Sequence, residues 1–280
     1  MRVIDIVVCL FAVMLSAVRG YALETEGFKP DKSLVYKTVG EVQLKLHVFN
    51  PEGHKASDKR PAMVFFFGGG WVGGSPSQFY PHCEHLASRG MVAIAAEYRT
   101  RSQHQTTPIE CVKDGKSAIR WVRQHAGELG VDPAKVLAGG GSAGGHVAAA
   151  TGTTNAFDEA GEDLTICAVP AALVLFNPVF DNGPGGYGHD RVQEYWQSIS
   201  PMHNISVSTP PTVVFFGTRD KHVPVETANT YKRLMEEKGR RCDLHIYDGQ
   251  PHGFFNYANT EYYQKTVTEM DRFLESLGFL

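Results

Sequence analysis

Three residues of this sequence have the side chains that nucleophilic catalysis needs, although they lie far apart along the chain. They are Ser142, Asp220 and His252, and each follows a short apolar run. A serine hydroxyl is a poor nucleophile until a histidine takes its proton, and that histidine needs a carboxylate to hold its tautomer and stabilise the imidazolium. The residue types therefore predict acyl transfer through an activated serine.

The segment around Ser142 reads Gly140-Gly141-Ser142-Ala143-Gly144, which matches the Gly-x-Ser-x-Gly nucleophile elbow. An apolar run precedes it and small helix-forming residues follow, so the pattern predicts a strand, a tight turn and a helix. Glycines are needed on both sides because such a turn has no room for Cβ atoms. The free N–H groups at the start of the helix would then face the space beside Ser142.

The same glycines permit a second interpretation. Gly139, Gly141 and Gly144 also spell Gly-x-Gly-x-x-Gly, the phosphate-binding turn of dinucleotide-binding units. That motif requires an acidic residue at the end of the next strand, about 20 residues on. Glu162 and Asp163 fall near that distance but precede the next apolar run, so this stretch alone leaves both interpretations open, together with a glycine-rich turn of no catalytic meaning.

A second glycine cluster follows another apolar run and ends at Trp71. Three successive glycines, residues 68–70, let the backbone pass close to a ligand and turn its N–H groups toward it. Donors fixed about 3 Å from a developing negative charge each lower the barrier by roughly 3 kcal/mol in known oxyanion holes. We therefore expect N–H groups of this cluster to serve as oxyanion donors, with an ordinary flexible loop as the alternative.

Strand and helix patterns alternate along the chain, which predicts a mostly parallel sheet with helices on both faces. The first two strands should form an antiparallel edge. Ligands of such sheets bind at the carboxyl ends of the strands, where both glycine clusters and the loops of Asp220 and His252 fall. The predicted strands are 34–38, 42–49, 62–67, 91–96, 136–140, 171–176, 212–217 and 243–247, and the predicted helices are 78–89, 107–124, 225–238 and 261–277, in addition to the one that follows Ser142.

The size and charge of the chain favour one domain and a small partner. It has 280 residues, of which 42% are hydrophobic, with 27 basic and 30 acidic residues and a net charge of −3. This balance gives no electrostatic footprint for nucleic acid, and we expect no stable membrane partner. The basic start, the apolar run after it and the small residues before position 23 predict a signal peptide at 1–22 and export of a single domain at 23–280.

Several other features were assigned structural roles. Cys83, Cys111, Cys167 and Cys242 would remain after export, and their spacing fixes no disulfide pairing. His82 and His85 lack zinc-motif spacing, so we expect them on the surface of a helix. Arg99 and Asp114 are expected to pair. Residues 177–204 predict a small insertion over the site, too long and irregular for a simple connection.

Taken together, four motifs resemble the α/β-hydrolases of the hormone-sensitive-lipase-like esterase group, close to the bacterial acetyl-xylan and feruloyl esterase-like branch. The order Ser, Asp, His is the chain order of α/β-hydrolases. The motifs are Phe67-Gly68-Gly69-Gly70-Trp71, the Gly-Gly-Ser142-Ala-Gly-Gly elbow, Gly217-Thr218-Arg219-Asp220 with Val223-Pro224, and Pro251-His252-Gly253-Phe254.

The resemblance implies a serine carboxylesterase acting on short-acyl esters, plausibly acetyl or feruloyl esters of carbohydrates, with no metal or cofactor. It assigns Ser142 as nucleophile, His252 as base, Asp220 as its partner, and the N–H groups of Gly69, Gly70 and Ala143 as oxyanion donors. Phe67 departs from the family pattern, which has histidine there. We further expect a pocket lined by Trp71, Tyr187 and Phe254.

Three other functions remain open. A prolyl-oligopeptidase-type peptidase has the same triad order but usually carries a large extra domain, for which this chain lacks the length. A dinucleotide-binding oxidoreductase would leave Asp220, His252 and the glycine cluster at 68–70 unexplained. A non-catalytic binding module would be expected to have lost one of the three catalytic residues, and none is missing.

Overall fold

The computed structural model describes residues 27–280, which form an eight-stranded sheet in the order β1-β2-β4-β3-β5-β6-β7-β8. β1 pairs with β2 and β2 with β4 in antiparallel fashion, while all other neighbours are parallel. The predicted α/β-hydrolase fold, a mostly parallel sheet with an antiparallel N-terminal edge, is therefore confirmed. The strands are β1 Lys32–Val39, β2 Val42–Phe49, β3 Arg60–Phe66, β4 Val92–Ala96, β5 Val131–Gly141, β6 Leu173–Phe176, β7 Thr212–Gly217 and β8 Cys242–Tyr247.

Helices cover both faces of the sheet, because successive strand residues point to opposite sides. In β3, Met63 and Phe65 pack on one apolar layer with α1 and α8, and Val64 and Phe66 pack on the other with α3, α5 and α7. Both layers are sealed from solvent. The α-helices are α1 Tyr80–Ser88, α2 Arg101–His104, α3 Pro108–Gln124, α4 Ala126–Leu129, α5 Ala143–Thr153, α6 Trp196–Ile199, α7 Val225–Glu237 and α8 Thr260–Ser276.

The start of α3 follows from its first residues. Thr107 caps the helix, Pro108 takes the first helical position, and the carboxylate of Glu110 accepts the backbone N–H of Thr107. This reciprocal capping satisfies N–H groups that would otherwise lack partners. It also explains why the predicted span 107–124 agrees with the observed helix to within one residue.

A buried charge cluster ties the β1 edge to α3. Asp114 is fully buried and lies 2.8 Å from the Nη2 of Arg99 and 2.7 Å from the Nζ of Lys37, which confirms the predicted Arg99–Asp114 pair. Glu159 joins the cluster through Lys37 at 2.7 Å, Arg99 at 2.9 Å and Lys113 at 3.6 Å. Burial alone would raise the pKa of Glu159, but these cations outweigh it and lower the pKa from 4.5 to about 2.

Two expectations from the sequence need correction. His82 is wholly buried and not on the surface, with its ring among Phe79, Phe176 and Tyr263 at centroid distances of 5.0, 5.2 and 4.8 Å. Burial, followed by the nearby His85, lowers the pKa of His82 to about 3. β5 begins at residue 131, five residues before its predicted start. Its first half is polar and so lacks the apolar run by which the strand was predicted. Val131 nevertheless pairs with Arg60 at the margin of the sheet.

The segment 177–204 is irregular, with short 3₁₀ turns at His189–Arg191 and Pro201–Asn204 around α6. Its description as an insertion within one domain at 23–280 stays a prediction. The signal peptide predicted at 1–22 lies outside the described residues. Within residues 27–280, no helix is long and apolar enough to cross a membrane.

We predict that Glu159→Gln lowers stability at neutral pH and reduces the loss of stability in acid. The pKa of Glu159 is depressed in the folded state, so its contribution is complete above pH 4.5 and is lost as the pH falls toward about 2. Urea unfolding over this range measures the effect. Glu261→Gln is the control, because Glu261 is 67% exposed and pairs with Lys265 on the surface of α8. Equal acid sensitivity of the Glu159 variant and the parent would contradict the prediction.

Candidate active site

Ser142 forms the turn between β5 and α5 in a backbone conformation that residues with a Cβ rarely adopt. Its φ is 53° and its ψ is −121°, outside the regions where L-residues are comfortable. Its N–H donates to the carbonyl oxygen of Phe176 at 3.0 Å, and its own carbonyl accepts from the N–H of His146 at 3.0 Å. These bonds hold the Ser142 side chain above the carboxyl end of the sheet.

Two flanking glycines make this turn possible through close backbone contact. A Cβ at Gly140 would lie 2.5 Å from the carbonyl oxygen of Gly144 and 2.6 Å from that of Phe66. A Cβ at Gly144 would collide with the backbone carbonyl oxygens of Phe66 and Phe67. The first and last positions of the Gly-x-Ser-x-Gly motif are therefore glycine because α5 starts directly against β3.

The same positions argue against the phosphate-turn interpretation. Gly139 and Gly140 lie inside β5, paired with Phe65 and Phe66 of β3, and β5 continues through Gly141. A single residue, Ser142, connects the strand to α5. No glycine-rich loop is left at this junction to wrap a pyrophosphate.

His252 lies between Ser142 and Asp220. The Nε2 of His252 is 2.8 Å from the Oγ of Ser142, and its Nδ1 is 2.6 Å from the Oδ2 of Asp220. The three residues come from the ends of β5, β7 and β8. The structure thus brings together the three residues that the sequence singled out, at distances suited to proton transfer from the hydroxyl to the imidazole.

The carboxylate of Asp220 is fully buried but well supplied with donors. Its Oδ1 accepts the backbone N–H groups of His222 at 2.8 Å and Val223 at 3.0 Å, while its Oδ2 faces His252. Burial favours the protonated acid, yet the contact with His252 and the two N–H donors outweigh burial and lower the pKa of Asp220. Asp220 is therefore ionised near neutral pH and fixed in orientation.

Asn177, which the sequence analysis did not identify, anchors the loop of His252. It follows β6 directly, is fully buried, and has a positive φ of 33°. Its Oδ1 accepts the N–H of Gly253 at 2.8 Å, and its Nδ2 lies 3.5 Å from the Nε2 of His252. The available signal was a polar residue at the carboxyl end of an apolar run, the feature that also marks the other site loops.

The glycine cluster at 68–70 lies beside Ser142. The φ angles of Gly69 and Gly70 are 131° and 61°, both in the region that favours glycine. Within the part of the chain that the structure describes, their N–H groups make no hydrogen bond, and Ala143 is the first residue of α5. These are the three N–H groups that the sequence predicts as oxyanion donors.

An aromatic pair holds the start of this loop where the family pattern has histidine. The ring of Phe67 stacks on Tyr98 with a centroid distance of 4.2 Å, and the Tyr98 hydroxyl donates to the carbonyl oxygen of Phe67 at 2.7 Å. The N–H of Gly68 donates to the Oε1 of Gln78 at 2.7 Å, and the Nε2 of Gln78 donates to the Oδ1 of Asn256 at 2.9 Å. The loop is thus anchored on both sides.

Ser142 and His252 open into a cavity of about 320 Å³. Tyr187 lines it, as expected, and His222 stands at its rim with its ring 5.0 Å from that of His252. The lining residues are Gly68, Gly69, Gly70, Val72, Gly73, Gly74, Ser75, Gln78, Ser142, Asn177, Tyr187, Arg191, His222, His252, Gly253, Phe255 and Asn256.

The expectation that Trp71 and Phe254 line this pocket is not met. Trp71 is 2% exposed and turns into the core, with its ring 5.0 Å from that of His146. Phe254 is also 2% exposed and packs on Tyr247 at 5.2 Å. Phe255, one residue further on, faces the cavity instead, a difference that depends on the turn after His252.

Comparison with known proteins agrees with this geometry. The BD-FAE family model matches residues 46–173, and the dienelactone hydrolase family model matches residues 184–277. The solved structure of esterase 2 from Thermogutta terrifontis is 47% identical, with a TM-score of 0.86, and the match covers 89% of this chain and 95% of that one. The chain belongs to the hormone-sensitive-lipase-like group of α/β-hydrolase esterases.

More distant members of this family are longer. Esterase LipC of Mycobacterium tuberculosis is 28% identical over 69% of this chain and 53% of its own length. A probable isoprenylcysteine alpha-carbonyl methylesterase of Arabidopsis thaliana is 24% identical over 79% of this chain and 50% of its own length. The chain spans about half the length of the curated relatives it matches.

Esterase 2 of Thermogutta terrifontis has been solved with propionate and with butyrate bound, and phosphorylated by paraoxon.

We predict that Gly144→Ala destabilises the protein by at least about 3 kcal/mol, because the added methyl group overlaps backbone atoms of β3 that cannot move aside. Gly127→Ala is the matched control, since Gly127 lies in α4 with open space around its Cβ position. That change should be neutral or stabilise by about 0.5–1 kcal/mol. Thermal unfolding compares the two, and similar melting temperatures for Gly144→Ala and the parent would contradict the prediction.

Proposed function

We propose that this protein is a serine carboxylesterase that hydrolyses short-acyl esters through an acyl-enzyme. One observation carries the proposal, namely the continuous contact from the Oγ of Ser142 through His252 to buried Asp220 at the edge of a cavity. Family membership supports the reaction class. The geometry supports the role of each residue, because all three side chains are oriented before substrate arrives.

In the first half of the reaction, the Oγ of Ser142 attacks the ester carbonyl carbon while the Nε2 of His252 takes the hydroxyl proton. The carbonyl π electrons move to oxygen, giving a tetrahedral intermediate. His252 then returns the proton to the alkoxy oxygen as the C–O bond breaks, and the alcohol leaves. Asp220 stabilises the imidazolium and keeps its Nδ1–H directed away from Ser142.

The negative charge on the tetrahedral intermediate requires donors that are already in position. The N–H groups of Gly69, Gly70 and Ala143 are assigned this role. Unbonded N–H groups in an anchored loop cost little reorganisation when charge develops, and the positive end of α5 adds to their field.

In the second half, water replaces the alcohol and attacks the acyl-enzyme carbonyl with His252 as general base. The same donors stabilise the second tetrahedral intermediate. Protonation of the Ser142 oxygen by His252 then releases the carboxylic acid and restores the enzyme. Each cycle consumes one ester and one water, and produces one acid and one alcohol.

The natural substrates proposed are acetyl or feruloyl esters of carbohydrates. The BD-FAE match supports this class of ester, and the propionate- and butyrate-bound structures of the similar esterase 2 support a short acyl group. Polar groups on the cavity wall, including Ser75, Gln78 and Tyr187, suit an alcohol rich in hydroxyl groups.

We expect Ser142→Ala to lower ester hydrolysis by about 10⁴-fold or more and to abolish labelling by a fluorophosphonate, because the Oγ of Ser142 is the hydroxyl in contact with the general base His252. Hydrolysis of p-nitrophenyl acetate and peptide mapping of the label measure both effects. Ser208→Ala, at an exposed serine on another loop, should behave as the parent. A label on any residue other than Ser142, or parental turnover by the Ser142 variant, would contradict the proposed function.

The substrate proposal predicts that kcat/KM is higher for acetyl and butyryl esters than for the octanoyl ester, in line with the propionate and butyrate that the similar esterase 2 binds. A panel of p-nitrophenyl esters tests this order. Release of acetate from acetylated xylan, and of ferulate from feruloylated arabinose, then tests the carbohydrate preference. An octanoyl ester cleaved faster than acetyl and butyryl esters would argue against the short-acyl assignment.

A further inference from the structure

The described lining of the cavity contains a cationic side chain and no anionic one. Of the described residues that line it, only Arg191 carries a permanent charge, and none is a carboxylate. Arg191 comes from the irregular segment 177–204, whereas most of the other lining residues belong to loops at the carboxyl ends of the strands. Arg191 therefore supplies the permanent charge on the described wall of the cavity.

Arg191 is held in a defined position. Its Nη1 donates to the carbonyl oxygen of Gly70 at 2.6 Å, next to the expected oxyanion donors. Its guanidinium carbon lies 5.6 Å from the ring centroid of Trp71 and 5.5 Å from that of Tyr187. Two aromatic rings and one carbonyl thus orient the planar group without neutralising its charge.

No acidic partner balances this guanidinium. None of the ion pairs among residues 27–280 includes Arg191, and within the same residues its Nε and Nη2 make no hydrogen bond. A partly buried arginine normally pairs with a carboxylate because desolvating an unpaired charge is costly. An oriented cation with unused N–H donors, lining a catalytic cavity, is an arrangement that fits an incoming anion.

We propose that Arg191 makes this enzyme selective for esters that carry a carboxylate elsewhere in the molecule, in the acyl or the alcohol part. The inference rests on the proposed function and deepens it by naming a substrate class. The unused Nε and Nη2 donors match the spacing of two carboxylate oxygens, which the single ammonium of lysine does not. A substrate carboxylate would supply the counter-charge that residues 27–280 do not place beside Arg191.

The test uses pairs of esters that differ only in a carboxylate or its neutral amide. For the acyl side, monoethyl succinate is compared with ethyl succinamate. For the alcohol side, 4-acetoxybenzoate is compared with 4-acetoxybenzamide. The ratio of kcat/KM values, acid over amide, is measured for the parent, Arg191→Met, Arg191→Lys and the control Arg233→Met, which removes an exposed arginine on α7. Comparing ratios between enzymes cancels differences in intrinsic ester reactivity and any effect on the Gly70 loop.

We expect the parent ratio to exceed that of Arg191→Met by at least about tenfold in one arm, because a charge-assisted hydrogen bond to a carboxylate is stronger than one to a neutral amide. The arm that responds tells whether the acyl or the alcohol side carries the anion. Arg191→Lys should give an intermediate ratio, and Arg233→Met the parental one. Raising ionic strength from about 0.02 M to about 0.5 M should lower the parent ratio, which needs no variant to fold.

Ratios for Arg191→Met within twofold of the parent in both arms would overturn the proposal and leave Arg191 as a support of the Gly70 loop. So would a parent ratio that does not change with salt. In either case the parent enzyme would still hydrolyse the neutral amide-bearing esters, so the assignment as a serine esterase would stand. If instead the parent hydrolysed none of the four esters and fluorophosphonate failed to label Ser142, the proposed function itself would be wrong.

Discussion

Ser142 holds a backbone conformation with a positive φ and a negative ψ that costs a residue with a Cβ about 1–3 kcal/mol. Its surroundings leave no alternative. β5 is paired on both sides, with β3 and β6, and the N–H of Ser142 is bound to the end of β6. Because α5 starts against the carbonyl groups of Phe66 and Phe67, relaxing the turn would break strand pairing or open the packing between α5 and β3. The strain therefore persists and keeps the hydroxyl exposed.

His252 and Asp220 are positioned by other interactions, because they lie far from Ser142 along the chain. His252 is 110 residues and Asp220 is 78 residues from Ser142. Parallel pairing of β5 through β8 brings the loop starts to one edge of the sheet. The remaining precision comes from local hydrogen bonds, of which the bond from Gly253 to Asn177 and the amide chain from Gly68 through Gln78 to Asn256 are examples. Donors and acceptors are thus arranged before any substrate binds.

The features that could be predicted from the sequence are those that backbone periodicity and residue order determine. The strands at 42–49 and 212–217 agree with their predicted bounds, and the three site residues meet as their positions after strands imply. Side-chain direction was less accessible. Trp71 has a positive φ of 59°, and its ring packs in the core. His82 lies on the buried face of α1, which a polar residue type does not predict. Both outcomes depend on tertiary packing rather than on local pattern.

The replacement of the family histidine by Phe67 shows how such a loop can be held by different forces. A histidine in this position would require buried polar partners, whereas the Phe67 ring gains dispersion and apolar burial against Tyr98. The backbone carbonyl, which still needs a donor, receives it from the Tyr98 hydroxyl. Polar support of the loop lies further along, where Arg191 binds the carbonyl of Gly70. The N–H groups of Gly69 and Gly70 are spared by both anchors, so the loop is rigid while its donors remain unused.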